Sequence, residues 1–152
     1  MVEENKEISP ESAKDKIAKK FAVKRTEVSR EIYSNVEKLS NLKTLKEAQV
    51  NMLSLRQRLL EDNHTLLEHI TNLRRKYREG RAFEMEKLSN NLQLRYQANE
   101  KTVVIDGRTS ETKEYLEIFE NQVSFFTESI KTIDNIIFGI KTRLDIEKTL
   151  GL

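Results

Sequence analysis

Arg74-Arg75-Lys76-Tyr77-Arg78-Glu79-Gly80-Arg81 places five cations and one carboxylate in eight residues, with Tyr77 inside the run and Phe83 just beyond it. A single nucleic-acid strand asks for this combination. Guanidinium and ammonium groups neutralise phosphates and release counterions, and an aromatic ring offers a stacking face to any base. The same run also has a purely structural reading, because cations before a helix-ending Gly are stabilised by the helix dipole. Arg56 and Arg58 upstream, and Lys141 and Arg143 downstream, either extend a basic track or serve as the charged flanks of a coiled coil.

Other chemistry is poorly supplied. The chain has no Cys, which excludes thiol nucleophiles, disulfides and Cys-ligated zinc or iron–sulfur sites. His64 and His69 are the only imidazoles and stand five apart, missing the i, i+4 spacing that lets two His share a metal. His64 and Glu68 share a helix face, an arrangement usual on any charged surface. The four glycines, at 80, 107, 139 and 151, are isolated, so no phosphate-cradling loop exists. The expectation is a non-catalytic protein with no cofactor, no metal and no small-molecule substrate. Charges nearly cancel, 27 basic against 25 acidic side chains, so affinity for nucleic acid must come from local clustering.

The elements that must position these residues are helices. Four Gly and one Pro in 152 residues, with 34% charged and 37% hydrophobic residues, exclude a turn-rich sandwich or barrel and predict an all-α protein of elongated helices. Met1 to Lys20 lacks the apolar core of a signal peptide, and Ile136 to Ile140 is the longest apolar run, far short of the roughly 18 residues of a membrane span. A cytoplasmic protein without a membrane partner is expected.

Ser9-Pro10-Glu11 has the cap, the N-terminal Pro and the acidic first turn of a helix start, leaving residues 1 to 8 as a frayed tail. From there to Arg30, seven cations face three carboxylates beside a thin stripe of Ile17, Phe21 and Val28. Residues 1–35 therefore read as a basic N-terminal arm, and 36–152 as one helical domain. Met52, Leu55, Leu59, Asn63, Leu66, Ile70, Leu73 and Tyr77 form a heptad seam with one stutter at Asn63, where a polar residue locally unwinds a supercoil and fixes register. Gly80 reads as a break, followed by a less regular stretch of Phe83, Leu88, Leu92, Leu94 and Tyr96. Thr102 to Ile105 are β-branched and precede Asp106-Gly107, so 102–109 reads as a short β-like hairpin or turn, with Ser110 capping a new helix.

That last helix carries Leu116, Phe119, Val123, Phe126, Ile130, Ile133, Ile137, Ile140 and Leu144 at alternating steps of three and four. Ile118, Phe125, Ile136 and Phe138 add a second apolar flank. β-Branched residues at both seam positions favour assemblies above a dimer. The run from Phe119 to Leu144 is accordingly expected to be an oligomerisation surface; the other reading makes this helix the centre of a monomeric bundle, packed by the 36–77 helix.

Three stretches together resemble the UvsY-type recombination mediator proteins of T-even-like bacteriophages. They are Arg74 to Arg81, where a basic helix end runs into an aromatic, a Gly and a basic residue; Lys101-Thr-Val-Val104 followed by a turn; and Phe125-Phe126 with Ser129 to Asn135 and Phe138-Gly-Ile-Lys141. The likeness covers roughly Val36 to Lys148. It departs from the family at Ile136-Ile137, where the family has Arg-Gly. The resemblance implies a ring-like homo-oligomer in the host cytoplasm that binds single-stranded DNA, contacts a single-strand binding protein and helps a RecA-like recombinase replace it. On this reading Arg74, Arg75, Lys76, Arg78 and Arg81 meet phosphate and Tyr77 stacks on a base. The runner-up is a coiled-coil structural or chaperone protein of prefoldin-like plan without DNA affinity.

Overall fold

A computed structural model describes residues 11–90 and 96–151. The chain forms three helices: α1 (Ala13–Glu37), α2 (Leu42–Ser89) and α3 (Ala98–Thr149), with one 3-10 turn, Lys38–Ser40, between α1 and α2. At 1.5 Å per residue, α2 and α3 are about 72 and 78 Å long and α1 about 38 Å. The all-α expectation holds, with no strand among the described residues.

α2 and α3 run antiparallel as a hairpin, their register fixed by Arg56 with Asp134, Arg74 with Glu120 and Arg81 with Asp106. α1 lies against the lower half of this hairpin, parallel to α3: Lys14 reaches Glu114, Arg25 donates to Gln122 at 2.8 Å, and Phe21 meets Phe119 edge-on with ring centroids 5.1 Å apart. The molecule is therefore a three-helix body carrying a two-helix tip, the tip being the part of α2 beyond about Leu73 and the part of α3 before about Lys113.

The core is a line of side chains. In the body it comprises Val28 of α1, Met52, Leu55, Leu59 and Leu66 of α2, and Phe126, Ile130 and Ile133 of α3. A second cluster of Leu45, Ala48 and Ile140 closes the base. Phe119, Val123 and Ile137 pack on the first cluster and Leu144 on the second. The row Phe119 to Leu144 thus packs, at least in part, inside one chain, the arrangement of the monomeric-bundle reading. Asn63, at the stutter, has a buried side-chain oxygen without a hydrogen-bond partner among the described residues.

Two polar contacts fix how α1 docks. Buried Gln122 accepts from Arg25, and buried Asn35 accepts from Asn51 at 3.0 Å while donating to the Glu31 carbonyl. Buried amides keep their place only where partnered, so these pairs hold α1 in one register. The boundary expected at 35/36 falls inside α1, which packs on the hairpin through Val28.

Three local expectations are corrected. α2 runs unbroken through Gly80, because a lone Gly costs only about 1 kcal/mol relative to Ala in a helix that packing supports. The β-like hairpin at 102–109 is helix, part of α3. Of its β-branched residues Ile105 is packed, being 1% exposed, while Val103 is 71% exposed, and Gly107 keeps helical backbone. α3 accordingly starts at a Gln97–Glu100 capping box and not at Ser110, whose hydroxyl donates to the Gly107 carbonyl in mid-helix. Of the stretch beyond Gly80, Phe83 and Leu88 lie on α2, while Leu92 and Leu94 lie outside the described residues, as do Ser9 and Pro10. The first helix begins after Ser12, which caps the Asp15 amide at 3.2 Å. α3 ends on Leu150 and Gly151, the latter at φ +70 with its amide donating to the Lys148 carbonyl, the left-handed position that Gly fills without strain.

Two substitutions test this architecture. A Cβ at Gly107 meets nothing within 4 Å, so Gly107→Ala is expected to raise stability by about 0.5–1 kcal/mol in a urea titration; a loss would place 102–109 outside a helix. Ile133, with no exposed surface, is expected to cost about 2–5 kcal/mol as Ala, whereas Phe138→Ala, at a side chain 72% exposed, stays within about 0.5 kcal/mol.

Candidate nucleic-acid interface

The Arg74–Arg81 run lies on α2 where the cover of α1 ends, and the structure divides its cations into two sets. Arg74 is paired with Glu120 at 3.1 Å. Arg81 is paired with Asp106 at 2.5 Å, lies over the Tyr77 ring 5.6 Å from its centroid, and points at the Tyr77 hydroxyl at 3.4 Å. The hydrogen bond that Arg81 donates to Asp106 raises the Arg81 pKa above its ordinary range, against a smaller desolvation in the opposite sense. Both arginines thus join α2 to α3.

Arg75, Lys76 and Arg78 are exposed and make no ion pair among the described residues. Arg75 and Arg78 are three apart and share a face. Lys76 lies on the next flank, in line with Phe83 seven residues on. Tyr77 is half-buried with Arg81 over its face, so it is not the open stacking surface expected. The open ring of this region is Phe83, 62% exposed. Its position one heptad from Lys76 is visible in the sequence; the closure of Tyr77 is not.

The wider basic track is mostly engaged inside the chain. Arg56 bonds Asp134 at 2.5 Å through Nε, which raises its pKa through that hydrogen bond, Arg58 reaches Glu31 at 2.5 Å, and Arg143 pairs with Glu147 while donating to the Leu39 carbonyl. Lys141 is exposed. His64 and Glu68 form an exposed pair at 3.4 Å, and His69 packs on Phe119. Among the described residues no group of His, Asp and Glu is placed to hold a metal, and no helix is long and apolar enough to cross a membrane.

No family model, curated protein or solved structure matches the chain.

The division of the cations has a measurable consequence. Arg75→Ala with Arg78→Ala is expected to leave the urea midpoint unchanged within about 0.5 kcal/mol. Arg81→Ala, which removes an ion pair, a cation–π contact and the cover of Tyr77, lowers stability by about 0.5–1 kcal/mol, a value discounted for the exposure of its side chain.

Proposed function

We propose that this chain is a non-catalytic single-stranded DNA-binding protein, and that as an oligomer it acts as a recombination mediator, helping to load a RecA-like recombinase onto DNA covered by single-strand binding protein. The observation that supports the binding is the set of three exposed cations, Arg75, Lys76 and Arg78, which make no ion pair among the described residues, beside exposed Phe83 where the cover of α1 gives out. Phosphates meet the cations and one base meets the ring. Arg74 and Arg81 contribute secondarily, since exposed ion pairs are worth only about 0–1 kcal/mol and exchange readily for phosphate. The mediator role and its protein partners rest on the resemblance of the three stretches described above.

A second reading, a structural or chaperone-like helical hairpin, draws on Leu53, Leu60 and Leu67, exposed at steps of seven along α2. It requires a protein partner on that stripe and no DNA affinity.

Binding of a labelled single strand as a function of salt separates them. Three phosphates neutralised correspond to a slope of about −2 in log K against log salt for a single strand. Arg75→Ala with Arg78→Ala is expected to weaken low-salt binding at least about tenfold and to flatten that slope by about 1.4. Equal affinity for duplex, or no binding at low salt, removes the DNA reading. A constant monomer mass by light scattering on the same samples removes the oligomer.

A further inference from the structure

The face of α1 turned along α3 carries Arg25, Thr26, Ser29, Arg30 and Tyr33 at helical spacing, and these line a groove of about 660 Å³ whose α3 wall is Phe125. A second hollow, sharing Ser29, Tyr33 and Phe125, continues it toward the base between Val36 and Ile136. The upper groove contains two guanidinium groups, three hydroxyls and no carboxylate. Arg30 makes no ion pair among the described residues, and Arg25 is held only by the neutral Gln122 amide. The one acid on the lower hollow, Glu128, is paired with Lys131. Tyr33 is 71% exposed although it stands on a groove edge beside Phe125, which packs against Phe126 at 6.1 Å. Among the described residues no carboxylate pairs with either cation, and Tyr33 stays mostly exposed.

We infer that the α1–α3 groove is a second seat for single-stranded nucleic acid, in which Arg25 and Arg30 meet phosphates and Tyr33, with Phe125 behind it, stacks on bases. An exposed ring beside two guanidinium groups and hydroxyls, with no carboxylate on the upper groove, matches the chemistry of a strand better than that of an apolar helix, which would leave both arginines facing nonpolar surface. The seat rests on the DNA-binding reading above and adds to it. The register of Arg81 with Asp106 and of Arg74 with Glu120 places the groove about 20 Å along the hairpin from Arg78. Two weak seats at that separation hold one strand through effective concentration, each gaining from occupancy of the other.

The test uses the full chain with labelled oligothymidylates of about 6 and about 30 nucleotides, below and above the span of a single site. For the longer strand, Tyr33→Ala is expected to weaken binding about 5- to 100-fold and Tyr33→Phe to leave it unchanged. Arg30→Ala flattens the salt slope by about 0.7, and a strand carrying bromouracil crosslinks to the peptide containing Tyr33. Circular dichroism melting confirms that the variants are folded. If Arg75→Ala with Arg78→Ala weakens binding while Arg30→Ala and Tyr33→Ala bind as wild type, the groove is not a seat and the tip reading stands alone. If the wild type binds neither oligonucleotide at low salt, the DNA reading fails and the groove with it. Binding of poly-glutamate that Arg30→Ala abolishes, without DNA binding, would assign the groove to an acidic peptide instead.

Discussion

The apolar row of α3 has to be covered, and only two helices are available to cover it. α2 lies along most of that row, whereas α1, half as long, reaches only from Glu114 downward. Everything else in the molecule depends on this mismatch of lengths. Where three helices meet, Met52, Leu55, Leu59, Phe126 and Ile133 are sealed from water. Where two meet, each helix buries one row, represented by Leu88, Ile105 and Thr109, flanked by half-buried side chains such as Tyr77 and Val104. Most cations on such a tip are exposed, with Arg81 half-buried. Their ion pairs are weak, so Arg74 and Arg81 hold α3 without withdrawing fully from solvent, and Arg75, Lys76 and Arg78 stay exposed.

Placement of α1 is set differently from placement of α3. The α2–α3 seam is apolar over its length and tolerant of small shifts, but α1 offers one fully buried apolar side chain, Val28, with Phe21 and Ile32 beside it. So small a surface stabilises only modestly, and the position of α1 comes instead from amides that must find partners: Gln122 with Arg25, Asn35 with Asn51. Leaving such a group unpaired costs about 1–3 kcal/mol. The contact that fixes α1 also aims Arg25 at the α1–α3 groove, so the docking of the helix and the character of its surface share one hydrogen bond.

The helical class and the α3 row were legible in the sequence, because scarcity of Gly and Pro and a period of three and four are local properties. What that row packs against was not, since an apolar heptad has the same pattern whether its partner is another copy or residues 45–70 of its own chain. Gly80 and the Val103 to Gly107 stretch misled for a related reason. Propensity describes an isolated segment, and here Ile105 gains more from burial on α2 than its β-branching costs a helix. The basic run was found by composition alone, yet its division was hidden: the acids that take Arg74 and Arg81 lie 46 and 25 residues away along the chain. The α1 groove was less visible still. Arg25, Arg30 and Tyr33 look like an ordinary solvated face until the fold brings in Gln122, 97 residues beyond Arg25, and Phe125 beside it.

Stability is therefore distributed unevenly along the hairpin, and this bears on how a strand can be held. Local opening is easiest where few apolar side chains are buried and most backbone lies near solvent. By that measure the tip is the less stable end and the body the more stable one. Cations on the tip can adjust to the irregular spacing of phosphates on a single strand, because small movements of two helices disturb only one row of contacts. The α1–α3 groove lies on the body, where Arg25 is held by the Gln122 contact and Phe125 packs against the core cluster that includes Val28. On the proposed reading the two seats would supply different things to a flexible polymer: the tip would accept it over many geometries, and the groove, set on the better-packed body, would limit its register.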